Sequence, residues 1–409
     1  MSIIVQKFGG TSVADTKRIM AVAKKAIREY KAGHQVVVTV SAMAGETDRL
    51  LNLANEIDPA GAPRERDMLA STGEQVSIAL TAMAIEKLGA SAISFTGPQI
   101  DMRTDDGFTK AKIRSINDAV IRKELDEGKI VVIAGFQGQT DEQEITTLGR
   151  GGSDTTAVAL AAVLGAERCD IYTDVDGVYS ADPRIVPNVK KIPALAYEEM
   201  LEMASSGAKV LHTRAVQFAA KYQVPIQVLS SFEDKPGTMI MQEVQEMEDV
   251  VVSAITHSMK DAKVTLSKIA DKPGMAAAAF QLLADRNINV DLIVQNVGKE
   301  GLADISFTVE RADLPYIQKL EKELLQLVAA QEILYDPKIA KISAIGVGMK
   351  THAGIAARMF STLAAKDINI LMISTSEIKV SCVIDQDYTE LAVRALCEEF
   401  GLVDEQVSA

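Results

Sequence analysis

Along the first 240 residues, short apolar runs rich in β-branched side chains alternate with longer stretches whose apolar positions recur at helical spacing. The runs at 3–5, 36–40, 91–95, 130–134, 170–173 and 226–229 read as strands. The stretches at 16–31, 71–88, 113–127, 154–164, 197–205 and 208–222 read as helices. Such alternation predicts an α/β fold, a mostly parallel sheet sandwiched by helices. An acidic, Met-containing stretch over 238–249 then breaks the pattern and predicts a linker, which puts the boundaries at 1–240, 241–261 for the linker, 262–335 and 336–409.

Beyond the linker the chain repeats itself. Gly274-Met-Ala-Ala-Ala-Ala-Phe280 matches Gly354-Ile-Ala-Ala-Arg-Met-Phe360, and Ile288-Asn-Val290 matches Ile368-Asn-Ile370, each 80 residues later. A strand precedes each helix, at 262–266 and 340–344, and two strands and a second helix follow, at 314–327 and 388–399, with room for a closing strand. Two ferredoxin-like βαββαβ modules are expected. A duplication of this kind can serve purely to pair chains, or it can sense a ligand.

Composition narrows the function classes. A chain of 409 residues has room for two or three domains. A net charge of −13 provides no bulk positive field for nucleic acid or an anionic membrane, so phosphate binding must be local. Cys169, Cys382 and Cys397 form no C-x-x-C pair, which suits a reducing cytoplasm. The N-terminus reads as a strand running into Gly9-Gly10 rather than as a targeting segment. The longest apolar stretches, such as 157–166, fall short of the roughly 18 residues a membrane span needs, and a soluble, cytoplasmic protein is expected.

Two glycine turns carry candidate chemistry. Lys7-Phe8-Gly9-Gly10-Thr11-Ser12 follows a strand and precedes a helix. Its glycines let backbone N–H groups approach an anion, Thr11 or Ser12 can cap the helix, and Lys7 supplies positive charge. It fits neither a Walker A loop nor a dinucleotide G-x-G-x-x-G. Gly149-Arg150-Gly151-Gly152-Ser153-Asp154 opens an Ala-rich helix. Arg150 can grip a carboxylate or phosphate in fork geometry, while Asp154 can either cap the helix or bind an amine or a metal-bound water. Thr173-Asp174, Asp176, Tyr179, Asp182 and Arg184 follow a strand at the edge where parallel sheets place ligands, although the carboxylates could equally be turn formers. Glu74 opens another helix, as a dipole partner or as a carboxylate for a substrate ammonium. His34, His212, His257 and His352 have neither triad nor metal-ligand spacing and read as surface or packing residues.

Taken in order, Lys-Phe-Gly-Gly-Thr-Ser-Val at 7–13, Val-Ser-Ala-Met-Ala-Gly-Glu-Thr at 40–47, Ser-Thr-Gly-Glu-Gln at 71–75, Gly-Arg-Gly-Gly-Ser-Asp-Thr-Thr at 149–156 and Tyr-Thr-Asp-Val-Asp-Gly-Val-Tyr at 172–179 resemble the aspartate kinases. The C-terminal repeat resembles the paired ACT regulatory domains of that family. The resemblance implies an amino acid kinase fold, ATP with Mg²⁺ held mainly through its phosphates, and phosphorylation of the side-chain carboxylate of L-aspartate to 4-phospho-L-aspartate. That reaction opens the route to lysine, threonine, methionine and diaminopimelate.

By the same resemblance, Lys7, Phe8, Gly9, Gly10, Thr173, Asp174, Tyr179, Arg184 and Lys209 serve ATP. Ser41, Thr47, Glu74, Arg150, Gly152, Ser153 and Asp154 serve aspartate, with Lys7, Arg150 and Asp154 catalytic and no protein-built metal site. Asp271, Gly274, Gln295, Asn296, Val297, His352, Gly354, Ser374 and Thr375 are expected to serve an effector, lysine and/or threonine. Assembly is expected either as a homo-oligomer through the ACT domains or as α₂β₂ with a β chain started internally near Met247. Two departures stand out: Thr213 where Pro is expected, and an unfamiliar Pro98–Asp101 loop. The alternatives are another amino acid kinase or an inactive amino-acid sensor.

Overall fold

The computed structural model describes residues 1–208, 210–242, 251–298 and 301–404. Lys209 and Met247 lie outside the described residues. Two compact units emerge, one of Met1–Val178, Lys191–Ser205 and Lys209–Gln245, the other of Tyr179–Lys190, Ser206–Ala208 and Glu246–Ala409. Among the described residues no helix is long and apolar enough to cross a membrane.

The first unit is built on an eight-stranded sheet in the order Ala194–Ala196, Thr238–Met241, Ile226–Ser230, Arg168–Thr173, Ile3–Phe8, Gln35–Val40, Ile130–Ala134, Ala92–Phe95. All neighbours are parallel except Thr238–Met241 against Ile226–Ser230. Ile130–Ala134 is buried throughout and wholly apolar, as expected for a strand covered on both faces. On one face Val36, Val38 and Val40 pack with Ile19, Val22 and Ala26 of helix Thr16–Lys31 and with Ile78 and Ile85 of helix Thr72–Lys87. Strand alternation sends Lys7 and its register partner Thr39 to the opposite face, where helix Gly152–Leu164 lies against the same strands.

Three readings of this unit change. Helix 113–127 is helical only over Ala119–Asp126; Ile113–Ser115 is a strand in a small sheet with Arg103–Thr104, Gln137–Gln139 and Ile145–Thr147. Pairing with the nearby strand Arg103–Thr104 overrides the local helical pattern there. Helix 208–222 begins only at Thr213, behind His212, whose ring accepts from the Arg214 N–H. Thr213 thus holds the first helical position, the one Pro also favours, which accounts for that departure. Helices Glu46–Ile57 and Pro63–Ala70 lack an expectation because each buries so little: Leu50 alone in the first, Asp67 and Ala70 in the second.

In the second unit the first repeat runs Asp261–Ala270, Met275–Ala284, Val290–Val297, Leu302–Glu310, helices Leu314–Lys319 and Glu321–Val328, then closing strand Glu332–Asp336. The sheet order, Val290–Val297, Leu302–Glu310, Asp261–Ala270, Glu332–Asp336, is that of a βαββαβ module, with the expected second helix interrupted at Leu320. Phe307 and Phe280, in edge-to-face contact at 5.5 Å, anchor its core.

The second repeat runs Ile339–Ile345, Ile355–Ala364, Met372–Thr375, Lys379–Asp385, Thr389–Glu399. Its outer strand comes from elsewhere: Ala254–Ser258, inside the stretch expected to be linker, pairs antiparallel with Ile339–Ile345. Ala181, Ile185, Val186 and Val189 join this repeat's core with Met359, Leu363 and Leu396.

Candidate active site at the carboxyl edge of the sheet

Strands Ile3–Phe8, Gln35–Val40, Ile130–Ala134 and Arg168–Thr173 run parallel, so Gly9, Ser41, Gly135 and Asp174 all leave the sheet at one edge. Glycines are required where these turns approach each other: a Cβ on Gly10 would stand 2.9 Å from the Ala42 carbonyl, and one on Gly135 2.6 Å from Ser153 Oγ. The chain from Gly10 to Val13 forms a 3₁₀ turn. Neither Thr11 nor Ser12 caps the following helix. Asp15 does, accepting from Arg18 N at 2.8 Å, because it stands directly before the first helical residue.

Lys7 reaches across to helix Gly152–Leu164, its Nζ 2.5 Å from Asp154 Oδ1, with both side chains largely shielded. Gly151, rather than Asp154, holds the cap position, and Asp154 pairs with Lys7. One residue earlier, Ser153 Oγ receives a hydrogen bond from Ser41 Oγ at 2.9 Å. Arg150 stands exposed between Gly149 and Gly151, both with left-handed φ of 75° and 70°. Among the described residues its guanidinium makes no ion pair or hydrogen bond, leaving it open to a ligand anion.

Glu74 is 2% exposed. Its Oε1 accepts from Ala42 N at 3.0 Å, while Oε2 has no hydrogen-bond partner among the described residues. Burial raises its pKa to about 7, only partly opposed by the Ala42 N–H. A carboxylate so poorly solvated is poised to take a cation. Thr47, half-buried, lies in the first turn of Glu46–Ile57.

On the neighbouring strand Thr173 Oγ1 donates to Asp174 Oδ1 at 3.0 Å. Asp176 pairs with Lys191 at 3.2 Å. Tyr179 and Arg184 fall in the second unit, where Arg184 binds Asp182 at 2.6 Å and holds its carboxyl below the usual range. The Pro98–Ile100 turn ends at Asp101, left-handed at φ 50°, which accepts from Arg103 Nε at 2.6 Å and Gln139 Nε2 at 3.0 Å. Sequence reasoning missed Ser231, whose Oγ lies 2.5 Å from Ser12 Oγ. Its signal was the Ser230-Ser231 pair following a strand of the parallel sheet.

In the second unit the effector candidates take matching places in the two repeats. Gly274 and Gly354, at φ 97° and 95°, cap the first helix of each. Asp271 N donates to Gly301 O at 2.9 Å, and His352 Nδ1 lies 2.9 Å from Gly348 O. Gln295, Asn296 and Val297 end one strand, with Gln295 and Asn296 exposed, and Ser374 and Thr375 end the corresponding strand.

The described Amino acid kinase family matches residues 2–230, and ACT domains match 264–329 and 342–400. The chain is 52% identical over 406 residues to the aspartokinase of Pseudomonas aeruginosa, covering 98% of each. It is similar to E. coli aspartokinase III in complex with aspartate and ADP in the R-state, with TM-score 0.81 and 28% identity over 97% of this chain and 99% of that one. The T-state of the same enzyme, in complex with lysine and aspartate, gives TM-score 0.76 and 28% identity over 98% and 100%.

Proposed function

The chain belongs to the amino acid kinase family, in its aspartate kinase branch with paired ACT domains, and from that premise we propose how its own residues perform the transfer. The reaction moves the γ-phosphoryl group of ATP to the side-chain carboxylate of aspartate, giving 4-phospho-L-aspartate. A carboxylic acid with a reference pKa near 4 is already ionised at neutral pH, so no general base is required. The barrier lies in bringing a carboxylate oxygen up to an anionic phosphorus. As the new O–P bond forms, the bond to the β,γ-bridging oxygen breaks and ADP leaves with its electron pair.

In this reading Glu74 takes the substrate ammonium on its free Oε2, and Arg150 clamps the α-carboxylate. Ser41, Thr47, Gly152 and Ser153 are assigned to the same substrate. Lys7 Nζ, held by Asp154, faces the transferring phosphoryl group, with N–H groups of Gly9 and Gly10 beside it. Phe8, Thr173, Asp174, Tyr179, Arg184 and Lys209 are assigned to the nucleotide. Mg²⁺ would be held mainly by the phosphates, with Asp154 or Asp174 through water, and would neutralise developing charge; one or two carboxylates are the donor set that ion uses beside a nucleotide.

The ACT pair is assigned to end-product sensing by lysine and/or threonine in a pathway to lysine, threonine and methionine, through Asp271, Gly274, Gln295, Asn296, Val297, His352, Gly354, Ser374 and Thr375. A cytoplasmic location suits the three free, buried thiols. For assembly, a homo-oligomer and an α₂β₂ form started near Met247 are separable by intact mass; Met247→Leu abolishes a short chain only in the second.

The observation that carries the catalytic assignment is the Lys7–Asp154 pair set between two glycine turns at the ligand edge of the sheet. Lys7→Ala is expected to lower kcat by at least about 10²-fold while the fold persists. Turnover near that of the parent would refute it.

A further inference from the structure

Arg150 has no anchor of its own, yet a clamp for a carboxylate must be placed to within a fraction of an ångström. The chain just upstream of it is held on two sides. Asp67, in helix Pro63–Ala70, is 1% exposed and spends both oxygens on main-chain and hydroxyl donors. It accepts from Thr147 N at 2.8 Å, Thr147 Oγ1 at 2.6 Å and Thr109 N at 2.8 Å. Arg214, in helix Thr213–Tyr222, does the converse, donating from Nη1 to Leu148 O at 2.9 Å and from Nη2 to Ala111 O at 2.7 Å. Between these two grips Ala111 N donates to Thr147 O at 2.9 Å.

Two chain segments, 109–111 and 147–148, are therefore held by a carboxylate that collects their donors and a guanidinium that serves their carbonyls. Among the described residues neither charge forms an ion pair. Giving a buried carboxylate and a half-buried guanidinium to backbone and hydroxyl partners, with no opposite charge, is costly unless the geometry they impose is needed. Burial pushes the Asp67 carboxyl upward, against the pull of its three donors. The held segment ends directly before Gly149-Arg150-Gly151, and that turn has no slack: a Cβ on Gly149 would lie 2.9 Å from Thr109 O, and one on Gly151 2.3 Å from the His212 ring.

We propose that Asp67 and Arg214 are positioning residues that act through Arg150, setting the angle at which it meets the α-carboxylate of aspartate. The inference rests on the substrate role given to Arg150 above, and the test separates the two. Asp67→Asn and Arg214→Lys are made singly in the parent and in an Arg150→Ala background, with aspartate KM, ATP affinity and melting temperature measured for each.

In the parent background each substitution should raise aspartate KM about tenfold, the scale of weakening a charged hydrogen bond, with ATP affinity within about twofold. On Arg150→Ala neither should raise it further, since the group they position is gone. Equal effects in both backgrounds, or a lowered melting temperature with unchanged KM, would overturn the proposal. An Arg150→Ala enzyme with the parental aspartate KM would instead refute the role of Arg150 itself. Should Asp67→Asn fail to fold, Thr147→Val removes one donor while keeping the β-branched shape; a rise of about threefold that vanishes on Arg150→Ala is expected, and a rise that persists there overturns the proposal.

Discussion

Replacing Glu74 by Gln should make the unliganded enzyme more stable and poorer at holding aspartate, with both effects governed by pH. Folding lifts this carboxyl from 4.5 to about 7 through burial, a difference worth about 3 kcal/mol between its two protonation states. Because the folded pKa is the higher one, the native chain holds the proton more tightly than the unfolded chain does. That stabilisation is complete below pH 4.5 and is lost as the pH rises to about 7. Glutamine is neutral throughout, so Glu74→Gln should gain about 3 kcal/mol on the parent between those values and keep the margin above them.

Binding runs the other way. A substrate ammonium on Oε2 demands the ionised form, so at pH 6 the parent should release about 0.9 proton per aspartate bound. Urea unfolding from pH 4.5 to 8, and calorimetry of aspartate binding in two buffers of different ionisation enthalpy, measure the two quantities. Parallel stability curves for parent and variant, or aspartate binding at pH 6 without proton release, would refute the reasoning.

Burial also raises the thiols of Cys382 and Cys397 to about 12 and that of Cys169 well above its usual value. An aromatic disulfide reagent at pH 8 should therefore titrate none of the three cysteines in the native protein and all of them in urea; fast native labelling would contradict the packing. Substituting Gln295, Ser374 or Thr375 by Ala should relieve lysine or threonine inhibition at least about fivefold, a typical coupling, with uninhibited kcat preserved. Loss of basal activity would mark these positions as structural supports. Phe307→Ala should cost about 3 to 5 kcal/mol in unfolding free energy, as for a fully buried aromatic side chain; a loss below 1 kcal/mol would mean that the first ACT core repacks.

What the sequence made legible was local. Helix Thr16–Lys31 has the bounds its periodicity predicts, and the two glycine turns stand where a strand passes into a helix. The 80-residue repeat announced two modules because each copy carries its own glycine, helix and strand pattern. Features set by distant partners stayed hidden. Ala254–Ser258 looks like linker because its pairing partner lies more than 80 residues ahead. Asp67 stands in the charged run Arg64-Glu65-Arg66-Asp67, which drew no expectation, and only folding brings it to Thr147. The contact between Ser12 and Ser231 spans 219 residues. A capping role for Ser12 was a fair local inference, but the helix begins only at Thr16 behind Asp15, and Ser12 meets that distant hydroxyl instead.

The central claim, that this chain phosphorylates the side-chain carboxylate of aspartate, is tested most directly by trapping the product. An acyl phosphate reacts with hydroxylamine, so the protein incubated with ATP, Mg²⁺, L-aspartate and hydroxylamine should form the side-chain hydroxamate of aspartate in equal amount with ADP. Glutamate or N-acetylglutamate in place of aspartate should give neither. ADP without hydroxamate, preference for one of those other acceptors, or no ADP at all under any acceptor would contradict the account.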